Sequence, residues 1–521
     1  MKSSVKAISL SGLLVLGACY AARPGPVPVE EARAPVRIVG QAVQGPVTWV
    51  TVAVRAGSAH DPVGQEGLSA LTARMLREGG AGDRTPEAVD ELLYRLGTDI
   101  EVVVGKELVT FRTAVLTEDL PVITSLLSDM FLSPGLDDSA LGRLREEAQD
   151  TLDKGILQDD EATGMEVLDD LLYAGHPYGH PVAGRGGVVS TFTADDVRRF
   201  LETRYLRSTV VLGVAGAAVD AETGGWRPDV ESSADLASLH AALSGLPDTI
   251  YDAPTPKRVP AVDGRSLLVV DKPTQVTGIH FGHPTELHRG HPDWPAMLLA
   301  FTALGEHRQS HGRLYGELRG ERGLNYGDYA YIERYEQAGW SSIQQTGTGR
   351  VQNPFYVWLR PLSNEAAPFA LRGATRLVED FVENGLETDE FELKRTYLSG
   401  RVSLWADDPG RRLGWAVEAE AMGWPDPIST LPAAVEALTL EQVNTAIQAH
   451  IHPESMRYVV VTGEAEAFVE LVADDVTTPL VYAGSPPPDA GTEQAEEDAL
   501  WAATPLGWSD IRVIQSDDLF R

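Results

Sequence analysis

One pattern, a capped helix followed by an apolar strand, occurs twice in this chain, in residues 193–216 and again in residues 439–463. Each copy begins with a threonine, Thr193 or Thr439, has an acidic residue in the first helical turn, and ends in an apolar run closed by glycine. The repetition indicates an internal duplication of an α/β unit. On these two segments alone, chance similarity between two α/β segments explains the pattern equally well.

Further patterns predict mixed α/β structure around the two copies. Thr85, Pro86 and Glu87 are typical of a helix start, and Gly97 ends that helix. A hairpin is predicted where Gly105-Lys106-Glu107 separates two β-branched runs. The other predicted strands are 49–56, 266–271 and 277–282, and the other predicted helices are 118–131, 139–157, 161–173, 234–243 and 293–304.

Length and charge limit the possible functions. With 521 residues, 43% of them hydrophobic, the chain is expected to form two to four domains with sizeable cores. The formal net charge of -33 disfavours nucleic acid and anionic lipid surfaces as partners, and it favours basic peptides or a basic partner protein. An acidic surface that only keeps the protein soluble fits the same charge.

The N-terminus has the pattern of an export signal. Lys2 and Lys6 precede an apolar run that ends in Leu16-Gly17-Ala18-Cys19, which resembles a bacterial lipoprotein signal. An ordinary secretory signal with a chance cysteine is the alternative. Cys19 is the only cysteine, so internal disulfides and cysteine catalysis are excluded. Lipid on Cys19 would anchor the protein in the bacterial cell envelope, and we expect the outer membrane, facing the periplasm, because Tyr20 is not an inner-membrane retention residue.

The segment 55–80 points to a family. Its loop and helix resemble the start of the zinc helix in the insulinase/pitrilysin peptidases, where the motif is His-x-x-Glu-His. Ser69, Thr72 and Ala73 occupy the three motif positions here, and none can replace an imidazole ligand or the general base. His176-Pro-Tyr-Gly179 and the stretch 312–326 also resemble family segments, so the resemblance covers roughly residues 36–470.

The resemblance implies an α+β fold of two homologous domains, each a mostly antiparallel sheet with helices packed on it, facing each other across a chamber. It turns the suspected duplication into an expectation. The predicted organisation is a signal peptide (1–18), a tether (19–35), an N-terminal peptidase-like domain with a degenerate metal site (36–220), a linker (221–264), a C-terminal peptidase-like domain (265–470) and an acidic proline-rich tail (471–521).

The resemblance also assigns site residues. The family's substrate-positioning arginine and tyrosine correspond to Arg319 and Tyr326. Their structural alternative is an ion pair of Arg319 with Glu317 or Glu321 and a half-buried Tyr326 in a strand. The family's third zinc ligand falls in a window that contains Glu146, Glu147 and Asp150. Which of the three aligns stays open, and we interpret them as a solvated helix face.

Together these features predict a non-catalytic partner subunit of an insulinase-like zinc peptidase, similar in kind to the alpha subunit of the mitochondrial processing peptidase. This chain would bind peptides or unfolded protein segments but no metal, and zinc would be held only by a homologous partner chain. One alternative is a lipid-anchored scaffold without a catalytic partner. Another is a metallopeptidase with relocated ligands, for which the candidates are His280, His283, His288, His291, His307 and His311.

Overall fold

The computed structural model describes residues 35–249, 258–259, 263–336, 342–480 and 492–520. The predicted signal peptide, Cys19 and all but the last residue of the predicted tether lie outside these ranges. Within them, no helix combines the length and the apolar composition that a membrane span requires.

Two β-sheets share one strand order. The strands are β1 (Arg37–Ala42), β2 (Val47–Val54), β3 (Glu101–Val104), β4 (Val109–Leu116), β5 (Val210–Gly216), β6 (Arg265–Asp271), β7 (Thr277–Thr285), β8 (Asp328–Tyr331), β9 (Asn353–Leu362), β10 (Arg457–Thr462) and β11 (Trp508–Gln515). The first sheet runs β1-β5-β2-β4-β3, and the second runs β11-β6-β10-β7-β9-β8, which is the same order with β11 added at one edge. The corresponding pairs β1–β5 and β6–β10 are parallel. The other corresponding pairs are antiparallel.

The matching order confirms the α+β fold class and shows the duplication. The two segments that suggested it are equivalent: each is a helix followed by the strand that pairs in parallel with the first strand of its half. Both helices begin with a capping box, in which Thr193 and Asp196, or Thr439 and Gln442, exchange side-chain-to-backbone hydrogen bonds.

Fifteen α-helices accompany the sheets within the described residues. They are α1 (Leu68–Glu78), α2 (Pro86–Leu96), α3 (Leu120–Leu132), α4 (Asp138–Asp150), α5 (Asp160–Leu172), α6 (Ala194–Arg204), α7 (Ser233–Leu243), α8 (Trp294–Leu304), α9 (Ala367–Asn384), α10 (Thr388–Trp405), α11 (Pro409–Met422), α12 (Pro427–Ala437), α13 (Leu440–His450), α14 (Ala465–Leu471) and α15 (Thr492–Ala502). Two π-helical segments, Thr151–Ile156 and Tyr315–Glu321, complete the helical structure used below.

The two halves exchange helices. Helix α5 of the first half packs on β7, β9 and β10 of the second sheet, and α11 of the second half packs on β1, β2 and β5 of the first. Leu413, Val417 and Ala421 of α11 form a core cluster with Ala53 and Val211 of the first sheet. Each half therefore buries apolar sheet surface with a helix from the other, which joins the halves into one packed unit.

Buried charges reinforce this contact. The Asp169 carboxylate on α5 accepts hydrogen bonds from both terminal nitrogens of Arg350, at 3.0 and 3.1 Å, and all these groups are buried. Glu166 on the same helix pairs with Arg334 at 2.6 Å, and Glu161 pairs with Arg360 at 2.8 Å. The neighbouring Arg350 and Arg334 charges hold the pKa of Asp169 below its ordinary value, against the burial that would raise it.

The predicted linker and tail both contain folded structure. Helix α7, inside the predicted linker, buries Leu236, Leu239 and Leu243 in the core of the first half. The predicted acidic tail contributes α15 and the edge strand β11, which pairs in parallel with β6. Beyond β11, the Phe520 carbonyl accepts a hydrogen bond from Gly186 N at 2.9 Å, so the chain end contacts the first half. The acidic, proline-rich composition of this segment does not reveal these contacts, because they depend on a few apolar residues.

Trp501 allows a test of whether α15 stabilises the second half. Its side chain is buried, the Arg322 guanidinium carbon lies 3.8 Å from its ring centroid, and the Phe369 ring centroid lies 5.9 Å away. We expect Trp501→Ala to lower the free energy of unfolding by about 3–5 kcal/mol. The neighbouring Leu500 is 57% exposed, and Leu500→Ala should change it by no more than about 0.5 kcal/mol. Equal melting temperatures for the two variants would contradict this packing.

Candidate functional site

The helix that carries the degenerate motif begins at a fixed turn. Gly67 precedes α1 with φ at +100°, a conformation that favours glycine. The Asp61 carboxylate accepts hydrogen bonds from the backbone N–H groups of Gly67, at 2.7 Å, and Ser69, at 2.6 Å. This carboxylate therefore satisfies two of the free N–H groups at the helix start from outside the helix.

All three motif positions lie in the core of the first half. Ser69, Thr72 and Ala73 have fully buried side chains. The Ser69 hydroxyl donates a hydrogen bond to the Ala56 carbonyl at 2.6 Å, and the Thr72 hydroxyl has no hydrogen-bond partner among the described residues. These side chains do not fit the zinc that the family motif binds, because they supply no imidazole and face packed protein.

The candidates for the third zinc ligand lie on the exposed side of α4. Glu147 pairs with Arg74 at 2.5 Å and with Arg143 at 2.9 Å. Asp150 is exposed and pairs with Lys154 at 2.8 Å, while Glu146 is exposed. Glu147 contacts α1 through its ion pair with Arg74. A metal ligand would need a carboxylate that is not already paired with an arginine.

Arg319 and Tyr326 lie together in the second half. Arg319 belongs to the π-helical segment Tyr315–Glu321, and Tyr326 lies in the loop before β8. The Arg319 guanidinium carbon is 4.5 Å from the centroid of the Tyr326 ring, and its Nη1 donates a hydrogen bond to the Tyr326 carbonyl oxygen. The Tyr326 side chain is 66% exposed. The pair therefore presents the Tyr326 phenol to solvent, while the half-buried Arg319 guanidinium also lies 4.9 Å from the centroid of the Tyr315 ring.

Neither part of the structural alternative for this pair is found. Glu317 pairs with Arg322 at 2.9 Å, and among the described residues Arg319 forms no ion pair with Glu317 or Glu321. Tyr326 is an exposed loop residue, outside any strand.

A buried amide and carboxyl fix the loop beneath the pair. Asn325 Nδ2 donates hydrogen bonds to Asp328 Oδ1, at 2.7 Å, and to the Arg360 carbonyl, at 3.1 Å. Burial raises the pKa of Asp328 to about 8, against the Asn325 hydrogen bond and the Arg319 charge, which both lower it. The Arg360 guanidinium carbon also lies 5.6 Å from the Tyr326 ring centroid. Two cations thus flank this ring.

Most second-half histidines have structural partners. His280 is buried and stacked on Trp358, with ring centroids 6.0 Å apart, and burial lowers its pKa to about 3. His307 Nδ1 lies 2.7 Å from the Tyr331 hydroxyl, whereas His311 Nδ1 lies 3.0 Å from the Lys394 ammonium nitrogen. His283 Nε2 accepts a hydrogen bond from the backbone, and His288 stacks on a tryptophan. His291 differs, because it lies beside a carboxylate and another histidine.

A buried polar cluster near the start of α1 was not predicted. The Tyr178 hydroxyl donates a hydrogen bond to Glu107, and His60 Nε2 lies 3.7 Å from the same carboxylate. Lys106 Nζ donates to the His180 carbonyl, and burial lowers the pKa of this lysine to about 8. The predicted hairpin is present, with Lys106 and Glu107 between β3 and β4, but local sequence does not show that both side chains are buried.

An open cleft lies between the halves. Its volume is about 460 Å³, and its walls include Trp49 and Arg112 from the first half and Thr346 and Arg411 from the second. Its lining is mixed polar and apolar and carries both signs of charge. Arg319 and Tyr326 are not among its lining residues, so the structure does not join the pair to this cleft.

Comparison with known families decides the assignment suggested by the sequence. Residues 38–185 match the family model described as "Insulinase (Peptidase family M16)", and residues 191–354 match the one described as "Peptidase M16 inactive domain". The chain belongs to the M16 (insulinase) peptidase family. The resemblance on which the sequence analysis relied is thereby confirmed.

Similar M16 proteins differ in how they are named. The chain is 22% identical over 404 residues to "Uncharacterized zinc protease YmxG" of Bacillus subtilis, across 76% of this chain and 88% of that protein. It is also 22% identical over 424 residues to "Non-peptidase homolog YmxG" of Helicobacter pylori, across 80% and 90%. A shorter match, 23% over 182 residues, is to "Mitochondrial-processing peptidase subunit beta" of Dictyostelium discoideum, across 35% of this chain and 39% of that one.

A solved structure shares the fold. The crystal structure of a peptidase M16 inactive domain from Pseudomonas fluorescens matches with a TM-score of 0.70 and 20% identity, over 82% of this chain and 95% of that one. This likeness supports the two-sheet M16 architecture and carries no information on activity.

Two substitutions on α1 test whether the motif positions are now core residues. Ser69→Ala should lower the free energy of unfolding by about 1–3 kcal/mol, because it leaves the buried Ala56 carbonyl without its donor. Thr72→Val should be neutral or should raise it by about 1 kcal/mol, because it removes a buried hydroxyl that has no partner. Urea unfolding measures both. A Thr72→Val variant that is less stable than Ser69→Ala would contradict the packing described here.

Proposed function

We propose that this chain is the peptide-binding subunit of a heterodimeric M16 zinc peptidase, and that it lacks the catalytic zinc. The observation that carries the proposal is the contrast between the two family sites. The motif positions Ser69, Thr72 and Ala73 are buried and cannot bind zinc, whereas Arg319 is stacked on Tyr326, whose ring is exposed to solvent. In this proposal the partner chain holds the zinc.

The exposed pair has suitable chemistry for a peptide. A guanidinium and a phenol both donate hydrogen bonds, and both can orient a peptide carbonyl or stabilise negative charge that develops on its oxygen. The Arg319 hydrogen bond to the Tyr326 carbonyl and the stacking of the two side chains keep the donors at a fixed separation. Because the two side chains are already ordered, less conformational entropy is lost when a peptide binds.

Charge favours one class of substrate and partner. The net charge of -33 raises the local concentration of basic molecules near the surface and speeds their association. We therefore expect basic peptides or basic unfolded segments to bind in preference to acidic ones. Salt should weaken this preference, because exposed charges are screened over about 8–10 Å at physiological ionic strength.

The relatives support a division of labour between chains. One similar protein is named a non-peptidase homologue and another is named a subunit of a processing peptidase. For this chain both roles are proposals. A scaffold without a catalytic partner is the competing function, and it is favoured if the source genome encodes no homologue with an intact His-x-x-Glu-His motif.

Variants of the exposed pair test the proposed role. In a complex reconstituted with a zinc-binding homologue, we expect Arg319→Ala and Tyr326→Phe to lower the turnover of a peptide substrate by about 10²–10³-fold, the loss typical of a removed transition-state donor. Assembly, followed by gel filtration, should be unaffected because both side chains are exposed or half-buried.

Tyr94→Phe is the matched control for the tyrosine, since Tyr94 is 86% exposed on the first half. Arg198→Ala is the control for the arginine, since Arg198 lies in an exposed surface ion pair. Both controls should retain full turnover. Unchanged turnover in the Arg319 and Tyr326 variants would remove the role assigned to them.

We also propose that the chain is lipid-anchored in the bacterial cell envelope, at the outer membrane facing the periplasm. The support is the sequence Leu16-Gly17-Ala18-Cys19 after a basic and apolar N-terminus. Several acyl chains on Cys19 would give stable membrane attachment.

Cell fractionation tests this location. The Cys19→Ala variant should move from the membrane fraction to the soluble fraction, whereas the nearby Ala21→Ser control should stay with the membrane. If Cys19→Ala remains membrane-bound, lipid on this cysteine is not the sole anchor.

A further inference from the structure

Three side chains from distant parts of the sequence meet at one end of the second half. His291 lies before α8, Asp293 is the N-cap residue of α8, and His450 ends α13. Helices α8 and α13 pack against each other, which brings residues 157 positions apart into contact. One ligand atom from each of the three side chains lies within 4.8 Å of the other two.

The distances are close to those of a metal site. His450 Nε2 is 2.8 Å from Asp293 Oδ2, and His291 Nδ1 is 4.0 Å from the same oxygen. Tetrahedral zinc with bonds of about 2.0–2.2 Å requires its ligand atoms to lie roughly 3.3 Å apart. The two observed separations fall on either side of that value, so small side-chain rotations would bring the atoms around one ion.

The Asp293 side chain does not cap α8, although Asp293 is the N-cap residue. An aspartate at the start of a helix normally accepts hydrogen bonds from the first backbone N–H groups. Asp293 makes no such side-chain cap, and its carboxylate instead contacts His450. The carboxylate is thus held at the two imidazoles, where it can serve as a ligand.

Both histidines make hydrogen bonds at the cluster that an ion would replace. His291 Nδ1 accepts a hydrogen bond from Asp293 N at 3.1 Å, and His450 Nε2 lies 2.8 Å from Asp293 Oδ2. Because each ring nitrogen has one lone pair, an ion bound at these two nitrogens would take the place of both hydrogen bonds.

Access and charge also favour a cation. Side-chain exposures of 25% for His291, 47% for Asp293 and 15% for His450 leave room for an ion to enter and for water to complete its coordination. His450 ends α13, and the free carbonyls at a helix C-terminus attract positive charge.

We propose that His291, Asp293 and His450 bind a divalent zinc-class cation. Two imidazoles and one carboxylate are ligands that zinc accepts readily, with water in the remaining position. The ion would join the start of α8 to the end of α13 and so stabilise the second half. It is distinct from the catalytic zinc that the proposed function assigns to a partner chain.

Zinc titration of the chain from Tyr20 to Arg521, produced without a polyhistidine tag, tests the site. Competition with a chromophoric chelator in zinc sulfate should give one zinc per chain, and zinc should raise the melting temperature. His291→Ala, Asp293→Asn and His450→Ala should each weaken binding by at least about tenfold and reduce that rise.

His311→Ala is the matched control, because His311 is an exposed second-half histidine outside the cluster, and it should bind zinc as the parent chain does. Circular dichroism of the zinc-free variants checks that each one folds. The proposal is overturned if the parent chain binds no zinc, or if the three variants bind it as tightly as the parent.

The same samples separate this site from the question of function. Zinc bound without hydrolysis of a peptide substrate supports a structural ion and leaves the subunit proposal intact. Hydrolysis that depends on His291 and His450 would overturn the structural role of the ion and would also contradict the subunit proposal.

Discussion

The structure depends on the exchange of helices α5 and α11 between the two halves. Each sheet is covered on one face by a helix from the other half, so neither half has a complete core by itself. The Asp169 carboxylate on α5 is buried between Arg334 and Arg350, and removing either partner would leave an uncompensated charge in the interior. The packing of α5 and α11 therefore holds the first half, with the motif helix α1, against the second half, with the loop of Tyr326.

The core explains how a peptidase fold can exist without its metal. A zinc site needs ligands directed into an open, polar position, and it destabilises the surrounding core unless the metal is bound. Ser69, Thr72 and Ala73 have small side chains that are buried in the core, so the helix packs without a metal. Arg319 and Tyr326 differ from these residues, because Tyr326 is 66% exposed and the stacked pair adds little to the core.

Local signals in the sequence predicted the parts of the fold that depend on local structure. The caps at Thr193 and Thr439 and the strands that follow them were visible because capping and periodicity act over a few residues. Helix exchange and the burial of Lys106 were not visible, because each depends on a contact between distant segments. The same limit hid the cluster around Asp293: His291 was a candidate ligand, but nothing near it in the sequence points to His450.

The central claim is that this chain cannot hydrolyse peptides alone and completes the site of a zinc-binding partner. The most direct measurement compares the hydrolysis of a basic, internally quenched fluorescent peptide by this chain with zinc, by a homologue that carries His-x-x-Glu-His, and by an equimolar mixture of both. We expect no hydrolysis by this chain alone, and a higher rate of hydrolysis by the mixture than by the homologue alone. Turnover by this chain alone that a chelator abolishes would contradict it.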